Sequence, residues 1–162
     1  MKAISALTRI LETLTVIFFT LMIFVVLLQI LGRYTPISYI WTEELTRYLF
    51  IYAIAFGAPV AMERRAYITV DLLVDFLPQR VKKVYSSIIY LVLGLFSSML
   101  VFYSYDFAML GQGQTSPTLR IEMIYIYFSM IIAFVFLALY SFLNIYYIFA
   151  ENNEQMEEGV EE

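Results

Sequence analysis

The stretch TLTVIFFTLMIFVVLLQIL, Thr13–Leu31, decides the fold. It carries no charged side chain, and its length matches the roughly 20 residues an α-helix needs to cross the hydrocarbon of a bilayer. In lipid a helix is the natural state of such a run, because each backbone N–H and C=O must find its partner within the segment. Lys2 and Arg9 precede it, as basic residues precede a secretory signal. The run is longer than a signal's apolar region, however, and Gly32-Arg33-Tyr34 offers no small-residue cleavage site. A retained first membrane helix is expected.

Three further apolar segments follow, at Leu45–Met62, Tyr85–Leu110 and residues 123–149. The second is short and contains Gly57 and Pro59; the proline sits near one end, where a missing backbone donor costs least. The fold class expected is an all-α integral membrane bundle of about four transmembrane helices, occupying residues 1–150, with short interfacial amphipathic helices. Composition agrees. Hydrophobic residues make up 62% of the 162 and charged residues 15%, with a mean hydropathy of +0.78. A soluble domain averages about half apolar and about a quarter charged, so much of this apolar surface must face lipid.

The formal net charge of −4 belongs to the end of the chain. Glu151, Glu154, Glu157, Glu158, Glu161 and Glu162 lie in the last dozen residues, and without them the charge becomes +2. Residues 151–162 are expected to form a disordered acidic tail, since like charges repel and little there can be buried. Lys and Arg are nowhere concentrated as a nucleic-acid footprint requires. With no Cys and no His, disulfides, thiolate nucleophiles, zinc fingers and imidazole bases drop out together. No cofactor or metal is expected.

Orientation follows from the cations. Lys2, Arg9, Arg64, Arg65, Arg80, Lys82 and Lys83 fall on one side of the four spans, and Arg33, Arg47 and Arg120 on the other. The excess of Lys and Arg marks the cytoplasmic side, which places both termini in the cytoplasm.

Ala53, Gly57 and Ala61 stack small residues at a spacing of four on the second span. In lipid such a face lets helix backbones approach closely, either within the chain's own bundle or against a partner subunit. Gly94 and Ser98 repeat the pattern weakly on the third. Before the second span, Trp41-Thr42-Glu43-Glu44 and Arg47 form the most distinctive local sequence. Thr42 suits an N-cap, Glu43 and Glu44 suit the first helical turn, and Glu43 and Arg47 are four apart and able to pair. Trp41 and Tyr48 suit the membrane interface. Adjacent carboxylates point about 100° apart on a helix, a poor arrangement for acid–base chemistry. Capping and anchoring are therefore the expected roles.

Ile68–Pro78 reads as an amphipathic piece lying along the cytoplasmic interface, with Asp71 and Asp75 on one face. No third ligand clusters with those aspartates to hold a metal. Few ionisable residues sit deep in the apolar runs; Glu12 lies at the mouth of the first and Asp106 near the outer end of the third. Deep charges mark ion and substrate pathways, so their scarcity argues against a chain that transports by itself. A self-assembling small transporter or channel using Glu12, a membrane enzyme and an unrelated four-helix adaptor are the rival readings.

Trp41-x-Glu43-Glu44-x-x-Arg47, then Gly57-Ala58, Arg64-Arg65, Ile68-x-Val70-Asp71 and Leu77-Pro78, together with the Ser116-Pro117 turn, resemble the small, Q-type (DctQ-like) membrane subunit of tripartite ATP-independent periplasmic (TRAP) transporters. The family often has His before the Ile-x-Val-Asp run; here Tyr67 stands there, and an imidazole role does not carry over. The resemblance implies a three-part system in the bacterial inner membrane. A periplasmic solute-binding protein delivers an organic acid, of the sialic acid or dicarboxylate class, to a large sodium-coupled transport subunit. The small subunit is expected to be a non-catalytic scaffold bracing the large one, with Ala53, Gly57 and Ala61 as its packing face. Arg33, Arg47 and Arg120 are the expected docking residues on the periplasmic side, with headgroup contact as the alternative role.

Overall fold

The computed structural model describes residues 2–34, 40–64 and 79–158. Four helices make up nearly all of it: α1 (Lys2–Gly32), α2 (Ile40–Glu63), α3 (Gln79–Met109) and α4 (Met123–Glu158). Each contains a segment long and apolar enough to cross a membrane. The helices outrun their apolar segments. At about 1.5 Å per residue, the 31 residues of α1 and of α3 exceed the roughly 30 Å of bilayer hydrocarbon by a wide margin. Helical backbone also continues into the acidic segment as far as Glu158, where the sequence reading ended the last span near residue 149. The amphipathic stretch Ile68–Pro78, with Tyr67, Asp71 and Asp75, lies outside the described residues.

The helices pack α1 on α2, α2 on α4 and α4 on α3. One end of the bundle, the terminal end, carries the start of α1, the finish of α2 and the later turns of α4. The other, where α3 turns into α4, is the hairpin end. The largest buried cluster lies toward the terminal end and joins Leu11, Val60, Met62, Tyr90, Tyr140 and Ile148 from all four helices.

Between lipid-facing helices the buried positions are mostly small or hydroxyl-bearing. On α3, Tyr90, Gly94, Ser97, Ser104 and Ala108 form one buried stripe with steps of three, four and seven residues. A Cβ on Gly94 would stand 3.2 Å from Ser141 and Phe142, so the glycine lets α3 and α4 close up. Ser97, rather than the Ser98 picked out in the sequence, is the buried member; Ser98 is half-buried and donates to the Gly94 carbonyl of its own helix. Ser104 and Ser129 likewise donate to backbone carbonyls of Leu100 and Ile126. Such back-bonding satisfies a hydroxyl where water is absent.

Ala53, 4% exposed, is buried by this chain alone, and Gly57 faces Thr15 of α1, whose Cγ2 would lie 3.1 Å from an added Cβ. Ala61 is half-buried. This stripe therefore packs within the subunit at Ala53 and Gly57. Pro59 is fully buried in the last third of α2. It adds no unpaired donor to the interior, because proline has no N–H.

A polar layer closes the terminal end. The hydroxyls of Thr8 and Tyr140 meet at 3.0 Å, tying the start of α1 to α4. The Asn144 amide donates to the carbonyls of Met62, at 3.4 Å, and Tyr140, at 3.0 Å. The first is a cap: the last carbonyls of α2 have no partner in their own helix, and α4 supplies one from the side. Ser141 donates to the Met62 sulfur at 3.2 Å.

Two glycines separate side-chain from backbone crowding. At Gly57 a methyl meets only the Thr15 side chain, at 3.1 Å, which must give by a few tenths of an ångström, and the gain in helix propensity offsets part of that crowding. At Gly111 a Cβ would stand 2.6 Å from the backbone nitrogen of Ile124 and 2.9 Å from its Cα. Gly111→Ala should therefore cost about 1–3 kcal/mol, the scale of overpacking, and lower the melting temperature of the purified subunit well below that of Gly57→Ala. Equal melting temperatures for the two variants would contradict the backbone clash.

Candidate partner-docking site

The distinctive Trp41–Tyr48 sequence sits at the hairpin end, and there the structure departs from the capping expectation. α2 begins at Ile40, so Thr42 is inside the helix rather than at its N-cap. Its side chain is buried, at 1% exposed, and its carbonyl accepts the hydroxyl of Thr46. Trp41 is partly exposed at the helix start, as an interfacial anchor would be.

The two adjacent glutamates diverge in role, as neighbours on a helix must. Glu43 is exposed and pairs with Arg47 at 3.4 Å, both side chains well over half exposed. An exposed i,i+4 pair of this kind contributes about 0.3–0.5 kcal/mol. Glu44 is buried. One carboxylate oxygen accepts the Tyr48 hydroxyl at 2.7 Å; the other accepts the backbone N–H groups of Thr118 and Leu119, each at 3.0 Å. It is an interhelical ligand for the α3–α4 connection, not a cap of α2.

That connection is ordered by its own backbone. Met123 N–H donates to the Gln114 carbonyl and Ser116 N–H to that of Ile121, both at 2.8 Å, with an antiparallel bridge between Thr115 and Glu122. Gly113 has φ of +73°, and Arg120 has φ of +54°, in the left-handed region that non-glycine residues seldom occupy. Arg120 is exposed, as is Arg33 just past α1. Tyr52 adds a second tie across the same end, donating to the Tyr125 carbonyl at 2.5 Å and stacking on Phe18 of α1.

The structure thus gathers Trp41, Glu43, Glu44, Arg47 and Arg120 at one end and leaves Ala53 and Gly57 inside the bundle. What the sequence did not disclose is the Glu44–hairpin contact; its only local signal is Tyr48, one turn along α2 and able to reach the carboxylate. Glu12, the carboxylate of the rival transporter reading, lies at the opposite end. Arg64 holds it at 2.5 Å, bridging α1 to the end of α2. Among the described residues no group of three His, Cys, Asp or Glu side chains is placed to hold a metal ion. A recess of about 510 Å³ beside the hairpin is lined by Gln112, Gly113, Glu122, Ile124, Tyr125 and Phe128. All six are exposed or half-buried, which makes it a surface feature rather than a passage through the bundle.

Comparison with known proteins gives this arrangement a family. Residues 22–151 match the model of the DctQ component of tripartite ATP-independent periplasmic transporters. A TRAP transporter small permease protein of Haemophilus influenzae is 25% identical over 150 residues, covering 90% of this chain and 91% of that protein. An isethionate TRAP transporter permease protein, DctMQ, of Oleidesulfovibrio alaskensis is 31% identical over 108 residues. That match covers 61% of this chain but only 17% of the longer protein. The sialic acid TRAP transporter permease protein SiaT of Haemophilus influenzae is 32% identical over 62 residues, 36% of this chain and 10% of its own length. Four membrane-length helices in the expected order and a family match over most of the sequence agree: the chain belongs to the DctQ family, the small permease subunits of TRAP transporters.

Proposed function

We propose that this chain is a stationary, non-catalytic scaffold that braces a large sodium-coupled transport subunit in the bacterial inner membrane. In this reading both termini are cytoplasmic, the hairpin end is periplasmic, and that end helps dock a solute-binding protein delivering an organic acid. The observation that carries the reading is the outer surface. The most apolar 18-residue window of α1 is only 6% buried, and Val16, Phe19, Ile23, Phe24, Leu27 and Leu31 are all exposed on it. The charged groups of α1 and α2, by contrast, are paired with one another or stand at helix ends. A body of this kind offers lipid and a larger neighbour abundant contact, and the described residues of α1 and α2 offer a solute no charged path. The DctMQ relative, in which the matching segment is part of a much longer permease, supports a large membrane partner. The sialic acid permease and isethionate permease relatives support an organic acid as the solute class.

The absence of cysteine makes the topology directly testable. Thr115→Cys should react with a membrane-impermeant maleimide added outside spheroplasts, and Ser5→Cys only after lysis. The reverse pattern would invert the layout.

Proteoliposomes holding this chain alone should take up no solute, whereas the large subunit, this chain and the binding protein together should do so with sodium. The Glu12–Arg64 pair weighs against an ion-coupling role for Glu12, because a coupling carboxylate already neutralised by a cation is a weak ion ligand. Glu12→Gln should leave most of the uptake intact. Uptake by the chain alone, abolished by the same substitution, would instead favour the small-transporter reading.

Arg33 and Arg120 are exposed cations, while Arg47 is engaged with Glu43. Reversing Arg33 or Arg120 to Glu should slow docking of the binding protein, with the defect shrinking as salt screens the rim. Unchanged association in both variants would assign these arginines to lipid headgroups.

A further inference from the structure

Scaffolding alone leaves one buried acid without a purpose. Glu44 could have served α2 by accepting N–H groups of its own first turn, yet one of its oxygens reaches across to the N–H groups of Thr118 and Leu119. We propose that Glu44 is the positioning residue for Arg120: its carboxylate grips the α3–α4 turn so that the next residue after the gripped pair is presented outward to the docking protein. This rests on the docking role given above.

The geometry is stepwise. Pro117 leads into the turn, Thr118 and Leu119 supply the two gripped N–H groups, and Arg120 follows directly. Arg120 closes the loop by donating its own N–H to the Ser116 carbonyl at 3.2 Å, and it does so at φ of +54°. A non-glycine residue keeps such a conformation only where its surroundings over-determine it. Here they do. The Ser116–Ile121 and Met123–Gln114 hydrogen bonds fix the hairpin from below, and the charged carboxylate fixes its crown from the side. Charge-assisted bonds to N–H groups are the stronger kind, and the Tyr48 hydroxyl orients the carboxylate from α2. Without the grip, residues 118–120 are free to relax toward ordinary dihedral angles, which re-aims the arginine side chain while leaving the helices in place.

The test uses the complex of this chain with its large subunit in nanodiscs, titrated with the fluorescently labelled solute-binding protein that supports its uptake. Amide exchange is followed over residues 116–121. Glu44→Ala should speed exchange there, leave the α1–α2 pair unchanged and weaken docking by roughly tenfold, mostly through slower association. Arg120→Ala should weaken docking to a similar degree, and the double variant should be no worse than either single one. Glu44→Gln keeps an oxygen for the two amides and should restore most of the affinity. Should Glu44→Ala fail to assemble, Tyr48→Phe, which removes one donor from the carboxylate, takes its place in the same cycle. Additive losses, or exchange at 118 and 119 that does not change, would overturn the assignment. If Arg120→Ala docks normally while Glu44→Ala still speeds exchange, the docking role itself is wrong and the positioning role falls with it.

Discussion

A polar atom lying between these helices has no water to turn to, and it must be paired by protein. That constraint accounts for much of the interior. Hydroxyls of Ser98, Ser104 and Ser129 return to carbonyls of their own helices. The carbonyl of Met62, left over at the finish of α2, is met by Asn144 from α4. The Glu44 carboxylate, the most demanding group of all, is met by a hydroxyl and two backbone amides. Pairing needs geometry, and so the polar groups, few as they are, decide which helix faces which. Apolar contacts between the same helices are less selective, since lipid offers them nearly as good an alternative.

How much of this could be read in advance depended on distance along the chain. The four spans were legible because bilayer thickness imposes a length on each of them, and Thr13–Leu31 meets it with no charge at all. The pairing of Glu43 with Arg47 was legible because it is local. The small-residue stripe at Ala53 and Gly57 was legible as a packing face, but what it packs on was not. Thr15 lies on another helix, and only assembly brings it to Gly57. Glu44 was misread for the same reason. A glutamate in the opening turn of a helix has an obvious local use, and nothing in residues 116–121 advertises two amides waiting for a carboxylate. Thr42 failed as an N-cap because the helix starts earlier than the apolar pattern does. Helix ends outside hydrocarbon are not set by hydrophobicity.

The two ends of the bundle are secured differently. At the terminal end a buried aromatic and aliphatic cluster carries Tyr90 and Tyr140 into contact with all four helices, and hydroxyls and an amide cross-link it. At the hairpin end fewer apolar residues are buried, and the ties are Glu44 and Tyr52, each reaching from α2 to the segment around α4. The frame is dense at one end and pinned by discrete hydrogen bonds at the other, a construction in keeping with the proposed bracing role. Its distinctive chemistry is concentrated at the hairpin end, the end proposed to receive the soluble partner.

The neighbour relations also bear on how the subunit is made. α1 meets α2 and α3 meets α4, so the first two and the last two helices along the chain are also pairs in space. As the polypeptide leaves the ribosome, the earlier pair can close before the later one has been synthesised, with no long search between distant segments. The contacts of α4, with α3 and with α2, must wait until that last helix has been made. The Asn144–Met62 bond belongs to that last step, and the Glu44 bonds wait for the α3–α4 connection. Until that connection is in place the Glu44 carboxylate lacks the two amides that hold it in the finished bundle, a mark by which an incomplete subunit differs chemically from a mature one.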